Sequence, residues 1–252
     1  MTTKLLSIDT NAKTVKGQKY GYLTGILYMS PSDLSGVNLC PMAKTAGCEE
    51  PCLNMAGRGV FSNVQSARLR KANWFNTDKQ SFMLQLVKDI EALERKAKKL
   101  GLIPLVRLNG TTDIRFENVT FDYEFIHEKV RTITIFQLFP DIQFYDYTKI
   151  SNRKDLPLNY DLTFSYSGVK GFYTHVLKAI SQGLRVAVVF RDKNKLPVKF
   201  LGLPVVNGDN SDIRHIDPKK SVVALYAKGK AKKDTSGFVV DTYPTFTFKL
   251  ID

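Results

Sequence analysis

Three cysteines, Cys40, Cys48 and Cys52, stand within thirteen residues of one another, and the 252-residue chain has no others. They lie in NLCPMAKTAGCEEPCLNMAGRG, with the spacing C-x7-C-x3-C. An odd, clustered set of thiols is a poor disulfide framework. It suits a metal or iron–sulfur site that lacks one protein ligand. A centre with an open position can do chemistry, whereas a closed one is usually structural. Closed zinc sites favour four ligands in CxxC pairs, and here no histidine is near in sequence: His127, His175 and His215 all lie far along the chain. Zinc and three unrelated free thiols are the competing readings. The leading one is a cluster, 4Fe-4S or 3Fe-4S, in which three thiolates hold three corners and the fourth is left for water, substrate or an external ligand. Small residues around the thiols (Ala43, Ala46, Gly47, Ala56, Gly57, Gly59) let backbone N–H groups approach the sulfurs and tune the potential. Asn54 could orient a ligand. Gly57 and Arg58 could form an anion-accepting turn, or simply a tight one.

The elements that must position this loop are readable as apolar runs. Residues 21–29, GYLTGILYM, read as a first strand, and the cysteine segment, about residues 36–60, follows as a loop. Residues 63–75 and 79–100 turn helical, with Phe82, Leu86, Ile90, Leu93 and Ala97 at steps of three and four. Further strand-like runs occupy 103–110, 142–147, 161–167, 184–190, 203–209 and 221–227, with helix expected over part of 120–139 and over 171–182. Alternating apolar strands and helices predict a parallel sheet covered by helices. The fold class is α/β: a full or partial (β/α) barrel in a single domain, residues 1–252. In such folds chemistry gathers at the C-terminal strand ends. Those ends carry polar groups: Arg107, Asn109 and Asp113; Asp146, Thr148 and Lys149; Ser165 and Ser167; Arg191 and Asp192; Asn207 and Asp209. The cysteine loop, following the first strand, should emerge at the same rim. In YDYTK, Phe144, Asp146 and Thr148 should face one side of the sheet and Tyr145 and Tyr147 the other.

The formal net charge of +13, from 37 Lys+Arg against 24 Asp+Glu, favours anionic partners. The lysines are dispersed, with concentrations at 95–99, 193–199 and 228–233, so a solvated surface competes with a nucleic-acid footprint. There is no GxSxG, HExxH or Walker sequence. His127 and His175 fall on helical patterns and read as surface or packing residues; His215, near Asp209 and Asp212, is the best histidine for acid–base work. No run is apolar and long enough for a membrane span, and the N-terminus does not read as a secretory signal.

At CPMAKTAGCEEPCLNMAGRG, FSNVQSARLRKANWF, LVRLNGTTDI and IQFYDYTK the chain resembles a family of tailed-bacteriophage proteins known only as a gene product without an assigned function. The resemblance covers residues 36–167 and continues more loosely to the end. It implies a viral protein in the cytoplasm of an infected bacterium. A more distant resemblance is to the radical S-adenosylmethionine enzymes, which also place a three-cysteine cluster loop after the first strand of a partial barrel and bind S-adenosylmethionine at the open iron. Their usual spacing is C-x3-C-x2-C, and the nearest counterpart here to their GGE-like stretch is LNGTTD at 108–113.

Three functions follow as expectations. The first is a cluster-dependent hydrolase, in which the open iron acts as a Lewis acid on a small polar or anionic substrate, helped by Arg107, Asn109, Asp113, Asp146, Lys149 and Ser165. The second is a radical S-adenosylmethionine enzyme, with that molecule as cofactor. The third is a non-enzymatic factor that binds nucleic acid or a host protein.

Overall fold

The structure is a computed structural model and describes residues 4–9, 12–125 and 129–241. His127 lies outside the described residues. The strands are β1 (Leu6–Ile8), β2 (Tyr22–Leu27), β3 (Ile103–Arg107), β4 (Thr120–Tyr123), β5 (Arg131–Thr134), β6 (Gln143–Thr148), β7 (Tyr160–Ser165), β8 (Arg185–Phe190), β9 (Lys199–Phe200), β10 (Leu203–Asn207) and β11 (Val222–Tyr226). The helices are α1 (Ala12–Gln18), α2 (Ser62–Thr77), α3 (Lys79–Leu100), α4 (Ile135–Leu138) and α5 (Tyr173–Ser181).

Nine strands form one sheet in the order β1-β2-β3-β6-β7-β8-β11-β10-β9. From β2 to β10 every neighbouring pair is parallel. From β2 to β8 each parallel strand is laid beside the previous one, in chain order. The chain then passes over one position to form β10 and returns to insert β11. The α/β class is as expected, but no closed barrel forms among the described residues. The antiparallel strands β1 and β9 occupy the two edges that a closed barrel would have to pair.

One face of the sheet packs on helices. Leu86, Ile90, Leu93 and Ala97 of α3 are buried against Leu23, Leu27, Val106 and Phe144. Asp78 caps this helix, its carboxylate accepting the Ser81 N–H at 3.1 Å. Val176 and Ala179 of α5 pack on Phe164, Val186 and Val188. The central strands β2, β6, β7 and β8 are largely buried on both faces, which is why runs such as RVAVVF read as unbroken and apolar.

The other face is covered by the turn around Arg214–Ile216, with Ile213 packed on Leu105 and Tyr145. This face carries fully buried charge. Arg185 pairs with Asp161, and Arg214 with Asp217 at 2.9 Å. The YDYTK alternation holds: Phe144 joins the helix-side core and Tyr145 the opposite one.

The stretch 120–139, expected to be partly helical, is chiefly a β4–β5 hairpin followed by the single turn of α4. Thr132, Ile133 and Thr134 are β-branched and favour the strand. Thr134 and Gln137 then form a capping box that starts the turn. The short strands β1 and β9 were not expected; at three and two residues they offer no period to read.

Candidate functional site

The cysteine loop leaves the C-terminal end of β2 and lies across the ends of the next strands. Its length is taken up by turns. Ala43 N donates to Cys40 O (3.0 Å), Ala46 N to Met42 O (2.9 Å), Gly47 N to Lys44 O (3.0 Å) and Cys48 N to Ala43 O (3.1 Å). The seven residues between Cys40 and Cys48 therefore fold back on themselves, and a longer spacing still returns the second thiol towards the first. Buried Ala46 anchors the segment in the core beside α5, and Ser167 Oγ, beyond β7, donates to Ala46 O at 2.7 Å. At the end of β3, Cys40 Sγ is 3.8 Å from Thr111 O, and Asp113 N donates to Leu39 O at 2.9 Å.

The strand end at LNGTTD is packed against the end of β2. Gly110 N donates to Leu27 O at 2.9 Å. A Cβ at Gly110 would lie 2.6 Å from the Tyr28 ring and 2.7 Å from Leu27 O, so only glycine fits this junction.

The three thiols are free, half-buried and electrostatically coupled. Burial pushes Cys40 up to about 12, with Asp113, Cys52 and Cys48 adding to the rise. Burial also raises Cys48, opposed by the Lys149 ammonium, and Cys52, opposed by the Asn54 N–H, Arg68 and Lys149. That N–H donates to Cys52 Sγ at 3.4 Å.

Of the expected rim residues, Asp113, Lys149 and Ser165 come together beside the thiols. Asp113 accepts the Lys149 N–H at 2.7 Å. Lys149 Nζ donates to Ser165 O, Ser165 Oγ and Tyr166 O, each at 3.1 Å. The side chain is buried, and burial lowers its basicity while Cys48, Asp113 and Cys52 oppose the fall. Burial likewise raises Asp113, whose Oδ1 has no hydrogen-bond partner among the described residues.

Arg107, Asn109 and Asp146 form an adjoining buried network. Asp146 accepts from Asn109 N (2.8 Å), Asn109 Nδ2 (3.2 Å) and Tyr160 OH (2.8 Å), and burial pushes it up to about 6. Arg107 binds Asp212 at 3.1 Å and lies over the Tyr147 ring. This network ties the C-terminal end of β3 to the middle of β6 and the first residue of β7.

Two residues were not singled out from the sequence. Arg68 and Gln65, on one face of α2, clasp Asn54. Arg68 Nη1 donates to Asn54 O (2.9 Å) and Oδ1 (2.6 Å), and Gln65 Nε2 to Asn54 O (2.8 Å). The signal available was their i, i+3 spacing directly after the loop. Asn54 is buried and thus holds the backbone that donates to Cys52. Arg58 is exposed, and Gly57 makes an exposed left-handed turn (φ 55°).

Gly59 has a packing reason: a Cβ there would stand 2.3 Å from Asn54 O. Gly59→Ala is expected to open this clasp and to destabilise the protein by about 1–3 kcal/mol, as overpacking does. Thermal melts of the two proteins check it, and an unchanged midpoint would refute the packing argument.

The histidines are not part of the thiol site. His175 pairs with Ser151 Oγ at 3.0 Å, beside a cavity of about 280 Å³. His215 packs on Tyr22, at the N-terminal end of β2, with ring centroids 5.3 Å apart. That is the opposite rim from the thiols, which corrects its standing as the best acid–base histidine. Burial, with Arg185 and Lys219, lowers its pKa from 6.5 to about 4. The folded state therefore binds this proton less readily than the unfolded chain, and stability is lost as pH falls from about 6.5 towards 4. His215→Gln is expected to flatten that loss in denaturant titrations across this window; an unchanged pH profile would count against it.

Among the described residues, no group of three or more His, Cys, Asp or Glu side chains is arranged to hold a single metal ion. The three thiols have two cationic side chains, Lys149 and Arg68, and the Asn54 N–H donor beside them.

Fold and site define a class: an α/β protein with an open, mostly parallel sheet and a thiol-bearing loop across its C-terminal strand ends. The chain belongs to the Gene product 88 family of bacteriophage proteins, whose profile matches residues 4–242. Neither the curated proteins nor the solved structures hold a match to it. No helix of the described residues is long and apolar enough to cross a membrane.

Proposed function

We propose that Cys40, Cys48 and Cys52 hold an iron–sulfur cluster with one iron free of protein ligands, and that the protein is a radical S-adenosylmethionine enzyme. One observation carries this reading: the three-thiol loop follows the first parallel strand of a sheet whose parallel strands then succeed one another in chain order from β2 to β8. A partial barrel also lays its parallel strands in chain order, and here that order holds as far as β8, beyond which β11 is inserted before β10. The tight Gly110 junction at the end of the second parallel strand supports it, since LNGTTD is the nearest counterpart to the GGE-like stretch.

When bound, the cluster would supply an open coordination position and an electron at it. The chain's own residues do the rest. Asn54, fixed by Arg68 and Gln65, donates its N–H to Cys52 Sγ and stabilises negative charge on that sulfur. Lys149 and Arg68 offset thiolate charge in a partly dry site. Lys149 also fixes the carbonyls at the end of β7.

Lewis-acid hydrolysis is the second reading. It is favoured by Asp113, a buried carboxylate beside Cys40 and Cys48 whose Oδ1 faces the Arg153 guanidinium at 3.7 Å, which places a proton-transfer group at the site.

The test is anaerobic purification with iron and sulfide analysis, and EPR with and without S-adenosylmethionine. The expected result is iron and sulfide in matching amounts, an EPR signal that shifts on adding S-adenosylmethionine, and 5′-deoxyadenosine formed after reduction. A loaded protein whose spectrum ignores S-adenosylmethionine would transfer the reading to hydrolysis. Absence of iron and sulfide after reconstitution would end both.

A further inference from the structure

The loop that carries the thiols also carries an unusual outer surface. Leu53, Met55, Val60 and Phe61 are 54%, 37%, 55% and 58% exposed, so four large apolar side chains within nine residues face solvent. Arg58 is exposed among them. Against this stretch lies the lysine-rich turn Gly229–Lys233. A Cβ on Gly229 would lie 3.2 Å from Met55 O and 3.3 Å from Ala56 Cβ, so the two segments touch. The turn buries Ala231 and leaves Lys230, Lys232 and Lys233 exposed.

Nearby acids are already engaged. Asp209 pairs with Lys228 at 3.4 Å, Asp241 pairs with Arg191, and Asp234 accepts from Val239 N and Ser236. In the cysteine loop Glu49, which accepts from Ser32 Oγ, and Glu50 are both exposed carboxylates. The sixteen-residue helix α2 begins at this surface, just after Phe61, with no acidic residue in its first turn, and its dipole adds positive potential there.

Apolar side chains and an aromatic ring for bases, interleaved with cations for phosphates, are what single-stranded nucleic acid requires. A protein partner matched only to the apolar patch would gain nothing from the lysines. We propose that residues 53–61 and 228–233 form a docking surface for single-stranded nucleic acid.

The test uses the full chain, both cluster-loaded and as the cluster-free Cys48→Ala variant. Fluorescein-labelled single-stranded DNA, single-stranded RNA and the matched DNA duplex are titrated by anisotropy over a range of salt. Wild type is expected to bind a single strand more tightly than the duplex, with log affinity linear in log salt. The triple variant K230Q/K232Q/K233Q should reduce the salt slope by about 2, from roughly 0.7 per phosphate contact on a single strand. Phe61→Ala should weaken binding roughly 5- to 150-fold through lost stacking. A matched variant, K88Q/K98Q/K99Q on α3, should leave both unchanged.

No binding at low salt would overturn the proposal. So would equal loss in the α3 variant, tighter binding to duplex, or an affinity indifferent to salt. Binding without iron in the wild type would leave the docking surface standing and remove the cluster; a loaded protein that binds no strand would do the reverse.

Discussion

Cys48→Ser is expected to strip the anaerobically purified protein of iron and acid-labile sulfide while leaving the metal-free fold largely intact. Cys48 is the thiol best placed to separate these effects. Its side chain packs against both apolar clusters that hold the loop, so the near-isosteric serine keeps the volume. The direct cost of the substitution should be about 1 kcal/mol, for a hydroxyl placed where a thiol was. The loss on the loaded side should be much larger. Anything that binds only the folded state stabilises it by mass action, and cluster binding would draw on all three thiolates. Wild type reconstituted with iron and sulfide should melt well above its metal-free form, and Cys48→Ser should show no such gap. A variant that keeps its iron and its gap would sink the assignment of Cys48 as a ligand. Cys48→Ala removes any residual oxygen ligation and guards against a serine-held cluster.

Lys149→Met should have the second-largest effect, and two readouts separate its roles. As a buried cation giving three hydrogen bonds to Ser165 and Tyr166, it joins the ends of β6 and β7. Methionine fills the space but leaves two carbonyls without their donor, a loss of about 2–4 kcal/mol. Lys149 also lowers the basicity of Cys48 and Cys52. In metal-free protein the variant should therefore slow alkylation of Cys48 at mildly alkaline pH. In loaded protein it should lower the reduction potential by roughly 100 mV, since a unit charge several ångströms away at an effective dielectric of about 20 contributes about 2 kcal/mol. Lys149→Arg should restore the potential. A variant that is destabilised yet keeps its alkylation rate and potential would reduce Lys149 to a structural brace.

Much of the fold was legible because its central strands are largely buried on both faces. Runs such as RVAVVF and VVALY have few other readings, and α3 shows its buried stripe from Phe82 to Ala97 at helical spacing. The thiol loop was legible through cysteine count and spacing. Asp113, Lys149 and Ser165 were legible as polar residues at strand ends. The hairpin at β4–β5 was not, because four-residue strands with mixed polarity carry too little period. Nor was the burial of Arg185, since a cation reads as surface until the carboxylate that matches it, Asp161 on the neighbouring strand, is brought beside it; Arg214 pairs locally with Asp217, three residues on, and is buried because its turn packs on the sheet.

The sequence by itself determined a parallel α/β chain with one clustered thiol loop after its first parallel strand. These are local properties: apolar period, cysteine spacing, turn residues. Only the tertiary structure decided that the sheet stays open, because that depends on which strands take its edges. It also decided that Asn54 is clasped by α2, that His215 lies at the wrong rim, and that the lysines of 228–233 rest against the loop of residues 53–61. Apart from the Asn54 clasp, whose partners Gln65 and Arg68 follow within 14 residues, each of these is a contact between segments distant along the chain. Such contacts arise from packing the whole sheet, and no window of sequence contains them.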